Sequence, residues 1–447
     1  MELFEEATKY HVAGDFVKAE ELYDQLLTQN HNHPGLLATM GTMYLQTNRC
    51  GLAITMLEMA LEKSKKPPSD VLSNLGLAYK YAGLHDKSRS YLERSIKINP
   101  SAETLTNYGS LFIESGTPEK GIEVFERALK KDPTLGLAHW NYALSLLESG
   151  RWDTAWDEHE WGFKIGQRID RKLGNKPVWD GTHGKTVAVY GEQGIGDEIM
   201  FASMLPEMMK TNKVILECHT RLKSLFENSF PGLTCYGTRE DEEVFWPEKE
   251  DFDYRISIGS LGKFYRRSRE SFPGTPYLKS ASIPKSDKFR VGISWTGGQK
   301  AGRVQRRTVP LSWWKSILNN DCEFISLQYT DCNDEIALVE RLGYTIKQYP
   351  EIKAEDYSET AKIVQSCDLV ITVCTSVVHL AGALGVPCWV MTPKAPAWRY
   401  QSAGGMPWYK SVRLYRQPPK EGTWIPVVER VGFDLSELLN SRKQAVA

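Results

Sequence analysis

Hydrophobic and polar positions divide the chain into two parts with different periodicities. Up to about residue 165, apolar residues recur at helical spacing, and a turn residue is followed five positions later by a small residue. Successive turn residues are separated by 34, 35, 33 and 34 positions. The pattern predicts five helix–turn–helix units, in which the turn and small residues are Gly14 and Ala19, Asn48 and Ala53, Gly83 and Ser88, Gly116 and Gly121, and Gly150 and Ala155.

From about residue 185, short apolar runs alternate with helical patterns instead. Strands are predicted at 187–190, 214–218, 233–236, 254–258, 289–295, 324–328, 369–373 and 388–391. Helices are predicted at 198–210, 220–228, 334–342, 358–366 and 375–384. Pro206 lies inside the first of these helices and is expected to kink or shorten it. Such alternation is typical of parallel sheets that are covered by helices on both faces.

Composition and charge narrow the class of protein. A chain of 447 residues is too long for one ordinary core, so two or three domains are expected. Lys and Arg number 55 against 56 for Asp and Glu, a balance that argues against nucleic acid as a partner. No apolar run is long enough to span a membrane, and the eight cysteines include no Cys-x-x-Cys pair. The first residues, Met-Glu-Leu-Phe-Glu-Glu, are acidic and do not have the apolar stretch that is typical of a signal peptide. We therefore expect a cytoplasmic protein without membrane insertion.

The first candidate site follows the predicted strand at 187–190. Three glycines, Gly191, Gly194 and Gly196, precede Asp197 and the start of a helical pattern. Glycines allow a tight turn and the close approach of another molecule. Asp197 stands where an N-cap is expected, so two interpretations are open. Its carboxylate either caps the helix or acts at the mouth of a crevice, where open α/β sheets bind ligands.

A second candidate is the polar loop from Thr296 to Thr308, which follows the predicted strand at 289–295. A strand that leads into glycines and arginines suits phosphate binding through backbone N–H groups and guanidinium contacts. The alternative is an ordinary solvated loop. The glycines and basic residues in question are Gly297, Gly298, Gly302, Lys300, Arg303, Arg306 and Arg307.

A third candidate is the start of the predicted helix at 375–384. Thr375 and Ser376 open the helix, and the free N–H groups and dipole of a helix N-terminus favour an anion. His379 lies four residues beyond Thr375, on the same face. The sequence therefore predicts an anion site here, with a purely structural histidine as the alternative.

The helical units resemble the tetratricopeptide repeat, a helix–turn–helix unit of about 34 residues. Pieces of its Leu-Gly-x-x-Tyr pattern occur at Leu75-Gly76 and Tyr79. One helix pair cannot bury its apolar face alone, so stacked pairs would form a superhelix with a concave groove. The groove would bind a peptide or partner. Alternatively, the array is a spacer or a dimerisation surface.

The two α/β segments resemble heptosyltransferase-like (family 9) glycosyltransferases. The resemblance rests on Gly-Ile-Gly-Asp-Glu-Ile at 194–199 and on Thr-Ser-Val-Val-His-Leu-Ala-Gly-Ala-Leu-Gly-Val-Pro at 375–387. The whole arrangement is similar to bacterial and phage proteins that join tetratricopeptide repeats to such a module, akin to protein O-GlcNAc transferase. It implies an α-helical solenoid at 1–165 and a GT-B fold of two Rossmann-like α/β domains. These domains would span 166–284, on the acceptor side, and 285–447, on the nucleotide-sugar side.

The resemblance also implies roles for particular residues. Asp197 matches the carboxylate taken as general base, and Arg307 matches a lysine that contacts the donor diphosphate. Thr375, Ser376 and His379 match the segment that holds the diphosphate. Two further positions are assigned to the donor: Gln328, and Cys374 where the family usually has Asp. A thiol is a poor hydrogen-bond acceptor, so Cys374 is a departure. The predicted lining residues are Gln193, Gly194, Gly196, Thr296, Gly297, Trp398 and Arg399.

These features lead us to expect an inverting, metal-independent glycosyltransferase of the hexosyl, heptosyl or GlcNAc type. Its donor would be a nucleotide-diphosphate sugar, with UDP favoured, and no other cofactor is expected. A protein or glycan acceptor would be recruited by the repeat groove. Two alternatives stay open: a repeat scaffold whose transferase module is inactive, favoured by Cys374, and a transferase that acts on DNA.

Overall fold

The computed structural model describes residues 2–29, 33–297, 306–353, 355–418 and 422–446. Among the described helices, none is long and apolar enough to cross a membrane. The chain divides into two compact units, Met1–Ser145 and Leu146–Ala447. The prediction of three domains with boundaries near 165 and 285 stays a prediction.

The first unit is built from antiparallel helix pairs. Its helices are α1 (Glu2–Val12), α2 (Phe16–Gln29), α3 (Pro34–Gln46), α4 (Cys50–Lys63), α5 (Ser69–Tyr81), α6 (His85–Ile98), α7 (Ala102–Glu114), α8 (Pro118–Lys131) and α9 (Gly136–Glu148), the last of which contains the boundary between units. The predicted turn residues Gly14, Asn48, Gly83 and Gly116 have φ values of 82°, 58°, 76° and 72°. Glycine and asparagine tolerate this left-handed conformation best, which is why they recur at these positions.

Small residues at repeated positions let the paired helices pack closely. A Cβ at Gly76 would lie 2.4 Å from the Cγ of Leu92 on the facing helix α6. Ser88, at the predicted small position of the same pair, is fully buried and donates a hydrogen bond to the Gly76 carbonyl at 2.6 Å. Small residues recur with the repeat period because each of them lies where two paired helices touch.

The second unit contains two parallel sheets. The four-stranded sheet has the order β3-β2-β1-β4, and the six-stranded sheet has the order β10-β9-β8-β5-β6-β7. The strands of the first sheet are β1 (Thr186–Tyr190), β2 (Lys213–Glu217), β3 (Thr234–Tyr236) and β4 (Tyr254–Ser257). Those of the second are β5 (Arg290–Ser294), β6 (Glu323–Ser326), β7 (Ile346–Lys347), β8 (Leu369–Val373), β9 (Cys388–Thr392) and β10 (Val412–Arg416). The prediction of parallel α/β structure is confirmed.

Helices connect and flank these strands. They are α10 (Trp152–His159), α11 (Trp161–Lys164), α12 (Ile195–Ala202), α13 (Leu205–Met208), α14 (Lys223–Ser229), α15 (Gly262–Tyr265), α16 (Lys315–Leu318), α17 (Asn333–Glu340), α18 (Tyr357–Gln365), α19 (Ser376–Leu384) and α20 (Ile425–Val446). The helix predicted at 198–210 is divided into α12 and α13, with Pro206 in the first turn of α13. Proline is tolerated there because the first-turn N–H groups lack intrahelical partners.

The C-terminal strand β10 and helix α20 were not predicted. In β10, two of five residues are buried, and its sequence Val-Arg-Leu-Tyr-Arg carries a charge at every third position. An edge strand of this composition lacks the continuous apolar run that identified the buried strand β8. The mean hydropathy of α20 is close to neutral, so its apolar face is diluted by polar residues.

The second unit begins well before its first strand. Trp156 on α10 is 1% exposed, and its indole Nε1 donates to the Arg266 carbonyl at 2.7 Å. Its ring centroid lies 5.9 Å from that of Trp398. Arg168, in the following segment, is also buried. Residues 146–185 therefore supply part of the core of this unit.

This arrangement predicts where the chain can be shortened. A variant that begins at Gly136 keeps α9, Trp156 and Arg168, and we expect it to be soluble and to melt cooperatively. A variant that begins at Lys176 loses those buried groups and should be insoluble or melt roughly 10 °C lower. Differential scanning calorimetry of both variants makes the comparison, and equal melting temperatures would contradict this account of the core.

Candidate functional site

A cavity of about 350 Å³ opens at the carboxyl ends of strands from both sheets. The described residues that line it are Gln193, Gly194, Ile195, Gly196, Asp197, His219, Arg221, Arg239, Glu240, Arg307, Tyr329, Tyr357, Cys374, Thr375, Ser376, His379, Arg399 and Tyr400. Almost all of them lie in the segments that follow a strand. Because both sheets are parallel, these segments gather at one edge of each sheet, which is where open α/β sheets bind ligands.

The N-termini of helices α12 and α19 meet in this cavity. A Cβ at Gly196 would lie 3.0 Å from Cδ2 of His379 and 3.2 Å from Cα of Ser376. Only glycine permits this approach without a shift of the facing helix. Thr375 caps α19, and its Oγ1 accepts a hydrogen bond from the Val377 N–H at 3.2 Å. The glycine loop and the 375–387 segment, noted separately in the sequence, thus form one site.

The sequence suggested Asp197 as the N-cap of α12, but in the structure this residue is not the cap. The cap is Gly194, whose extended backbone lets Ile195 and Gly196 enter the first turn. Asp197 stands at the third helical position, and its Oδ2 accepts a hydrogen bond from the Gly194 N–H at 3.4 Å. Its Oδ1 accepts a hydrogen bond from Nη2 of Arg399, with which it forms an ion pair. The carboxylate is 16% exposed.

Positive charge dominates the cavity wall. Four arginines line it, against the carboxylates of Asp197 and Glu240. Arg307 is partly buried and forms no ion pair with another described residue. Arg239, by contrast, is held in place, because it pairs with Glu198 at 2.7 Å and donates to the Gln193 carbonyl at 2.6 Å. A net positive wall favours an anionic ligand.

Glu198 supports the site from behind the cavity. It is fully buried, and its Oε2 accepts a hydrogen bond from the His219 N–H at 3.0 Å. Burial raises the pKa of this carboxyl to about 8, against the opposing charge of Arg239. Glu198 thereby joins the loops after β1, β2 and β3. Nothing in the sequence separated it from the neighbouring Asp197.

His379 and Cys374 are uncharged groups in this site. Burial, followed by the charges of Arg399 and Arg307, lowers the pKa of His379 well below its usual range. Its Nδ1 lies 3.2 Å from the hydroxyl oxygen of Tyr409. Burial raises the pKa of the Cys374 thiol to about 11, so it stays protonated near neutral pH. Neither side chain is therefore ionised at the cavity wall.

Four predicted site residues lie outside the described cavity lining: Gln328, Thr296, Gly297 and Trp398. Gln328 is buried, and its Oε1 accepts hydrogen bonds from Ser294 Oγ at 3.1 Å and from the Thr296 N–H at 3.2 Å. It holds the end of β5 in place. The loop residues Gly298, Lys300, Gly302 and Arg303 fall outside the described residues, while Arg306 is exposed.

Several lining residues were missed in the sequence. They follow short strands in segments without a recognisable motif, so no local signal marked them: His219, Arg221, Arg239, Glu240, Tyr329, Tyr357 and Tyr400. Arg221 lies over the Tyr357 ring, with Cζ 5.2 Å from the centroid. The Tyr357 hydroxyl donates to Ser376 Oγ at 3.1 Å, so Tyr357 links Arg221 to the start of α19.

A buried ionic network anchors the loop that carries Gln193. Arg168 Nη2 pairs with Glu192 Oε1 at 2.5 Å and donates to Ser260 Oγ at 2.9 Å, and both charged side chains are almost fully buried. Arg168 also pairs with Glu160 at 2.7 Å. Glu192 directly precedes the cavity residues, so the network positions the glycine loop.

Comparison with known proteins identifies the repeats. The Tetratricopeptide repeat family model matches residues 69–101 and 102–135, which confirms that prediction. Protein FlbA from Caulobacter vibrioides is 30% identical over 344 residues. The match covers 69% of this chain, and the chain spans only 56% of the length of that relative.

Some solved structures are similar to about a third of the chain. MamA is 21% identical to this chain, with a TM-score of 0.31. The match covers 36% of this chain and 94% of the MamA chain. A thermophilic TPR protein of Thermus thermophilus is 17% identical, with a TM-score of 0.33. That match covers 36% of this chain and 89% of the Thermus protein.

Proposed function

We propose that the second unit is an inverting glycosyltransferase that takes its sugar from a nucleotide-diphosphate donor. The observation that carries this proposal is the cavity at the carboxyl ends of both sheets. The Asp197 carboxylate lies on the side of the first sheet. Ser376, at the N-terminus of α19, and Arg307 line the same cavity on the side of the second sheet. Transfer to an oxygen nucleophile needs a base on one side and stabilisation of an anionic leaving group on the other.

The donor diphosphate would bind at the start of α19. The free N–H groups of the first helical turn and the helix dipole favour an anion, and the Ser376 hydroxyl adds a hydrogen-bond donor. Arg307 faces the same space and has a guanidinium suited to bidentate phosphate contacts. In this proposal the arginines supply the positive charge that a metal ion provides in other transferases.

The chemical step would be a single displacement. The acceptor oxygen attacks the anomeric carbon while Asp197 takes its proton, and the bond from that carbon to the diphosphate oxygen breaks. Inversion at the anomeric carbon follows from attack on the face opposite the leaving group. Arg307 and the α19 N-terminus stabilise the negative charge that develops on the departing diphosphate.

A nucleotide-sugar screen tests the proposal. Purified protein is heated with UDP-, GDP-, ADP-, CMP- and dTDP-sugars, because a ligand that binds only the folded state raises its melting temperature. We expect one nucleotide class to stabilise the protein, with UDP favoured, and its sugar to be released or transferred. If no donor raises the melting temperature, an inactive repeat scaffold becomes the better account.

Replacing Arg307 by alanine should weaken binding of the stabilising nucleotide sugar by roughly ten- to a hundredfold. A charge-assisted hydrogen bond contributes on the order of 1.5–3 kcal/mol, and Arg307 has no competing acid partner among the described residues. Isothermal titration calorimetry measures the change. Arg306→Ala is the matched control, since this exposed neighbour does not line the cavity. Equal affinities for the two variants would remove Arg307 from the donor site.

We further propose that the repeat unit recruits a protein or glycan acceptor. Repeats of this class bind peptides or proteins, and stacked helix pairs provide the groove. The chain beginning at Gly136 should therefore keep donor binding and lose turnover on the physiological acceptor. Full activity of that shorter chain on the acceptor would leave the repeats without a recruiting role.

A further inference from the structure

We propose that Arg399 binds the donor diphosphate and, by doing so, releases Asp197 to act as base, so that the donor must bind first. This inference rests on the proposed function. Its starting point is the ion pair between Asp197 and Arg399, which lie 202 residues apart and both line the cavity. While Oδ1 of Asp197 accepts the hydrogen bond from Arg399, that oxygen is not available to the proton of an acceptor hydroxyl.

The backbone that carries Arg399 is firmly held. Trp398 is buried against Trp156 and Phe201, with ring centroids 5.9 and 6.3 Å from its own. On the other side, Arg416 donates hydrogen bonds at 2.8 Å to the carbonyls of Gln401 and Tyr400. The long side chain of Arg399 can therefore change partners while its backbone stays in place.

The guanidinium of Arg399 is incompletely satisfied. Its Nε is buried and has no hydrogen-bond partner among the described residues, although the side chain as a whole is 14% exposed to the cavity. A buried donor without an acceptor is costly. Thr375 and Ser376, where the diphosphate would bind, line the same cavity. Because Nε is itself buried, it gains an acceptor only when the side chain turns toward a phosphate bound there.

The other groups near Arg399 do not compete for it. Cys374, His379 and Tyr400 face it, and all three are uncharged near neutral pH, because burial raises the pKa of the thiol and the phenol and lowers that of the imidazole. Among the described residues, Asp197 is thus the acid that pairs with Arg399. A diphosphate carries more negative charge and offers bidentate oxygens, so it should displace the carboxylate.

Competition of this kind has a specific thermodynamic signature. Removing Asp197 should strengthen diphosphate binding, because Arg399 no longer has to leave a partner. Removing Arg399 should weaken it. Once Arg399 is absent, removal of Asp197 should lose its strengthening effect, since the two residues act through one interaction.

The test uses inorganic pyrophosphate and UDP as probes in titration calorimetry on the full chain. We expect Asp197→Asn to bind both about three- to thirtyfold more tightly and Arg399→Gln about tenfold more weakly. The double variant should match Arg399→Gln. Arg399→Lys, which keeps the charge, should recover part of the affinity, and it replaces Arg399→Gln if the latter does not fold.

Each outcome has a distinct meaning. Unchanged or weaker pyrophosphate binding by Asp197→Asn, or additive effects in the double variant, would overturn the role of Arg399 and leave the proposed function standing. Coupling with pyrophosphate, but no turnover of any nucleotide sugar, would support the exchange of partners and overturn the transferase. A wild-type protein that binds neither probe would overturn both.

Discussion

Asp197→Asn is expected to lower kcat by about a hundredfold or more, the usual range for removal of a general base being roughly 10²–10⁴. The carboxylate lines the cavity at the start of α12, and the amide cannot accept the acceptor proton. Asparagine keeps the size of the side chain and an oxygen for the Gly194 N–H, so the fold should persist. Donor affinity should increase, because Arg399 is freed.

Steady-state kinetics on the identified donor, with the melting temperature as a check on folding, measure this effect. Glu240→Gln is the matched control, since Glu240 is the other cavity-lining acid and its side chain is 61% exposed. It should keep kcat within a fewfold of the wild type. If Asp197→Asn retains wild-type turnover, its carboxylate serves only the first turn of α12 and the ion pair.

Arg168→Met should destabilise the second unit by about 3–5 kcal/mol, the typical result of breaking a buried ion pair by removal of one partner. The arginine and the Glu192 carboxylate are both almost fully buried, so the acid would stay in the core without its counter-charge. Activity should fall as well, because Glu192 fixes the loop that carries Gln193 and Asp197.

Calorimetry of the unfolding transition of the second unit checks this prediction. Arg267→Met is the control, because that arginine is 45% exposed and pairs with Asp157, which is 52% exposed. Exposed pairs contribute less than about 1 kcal/mol. The double variant Arg168→Met with Glu192→Leu should be more stable than Arg168→Met alone, since it removes the almost fully buried acid that the single variant leaves unpaired. Equal destabilisation by Arg168→Met and Arg267→Met would show that the network is not a buried one in solution.

The amino-acid sequence determined those features that depend on contacts between near neighbours in the chain. The repeat period is one of them, because each turn residue and each small residue, such as Gly83 and Ser88, serves its own helix pair. The strand β8 is another, since five consecutive buried residues form one apolar run that reads as a strand wherever it is placed. The family match confirms the class of the repeats, and β8 has the bounds that the sequence predicted.

Only the tertiary structure decided which charged groups meet. Asp197 could be placed at a helix start from its glycines, but its partner Arg399 comes from another sheet and is 202 residues away. Arg168 and Arg239 lie in segments for which the sequence predicted neither a strand nor a helix, yet they enter buried or largely buried ion pairs with Glu192 and Glu198. The spacing of apolar residues along the chain indicates which segments are buried. Which loops become neighbours depends on the order of strands in each sheet, and that order is fixed by long-range packing.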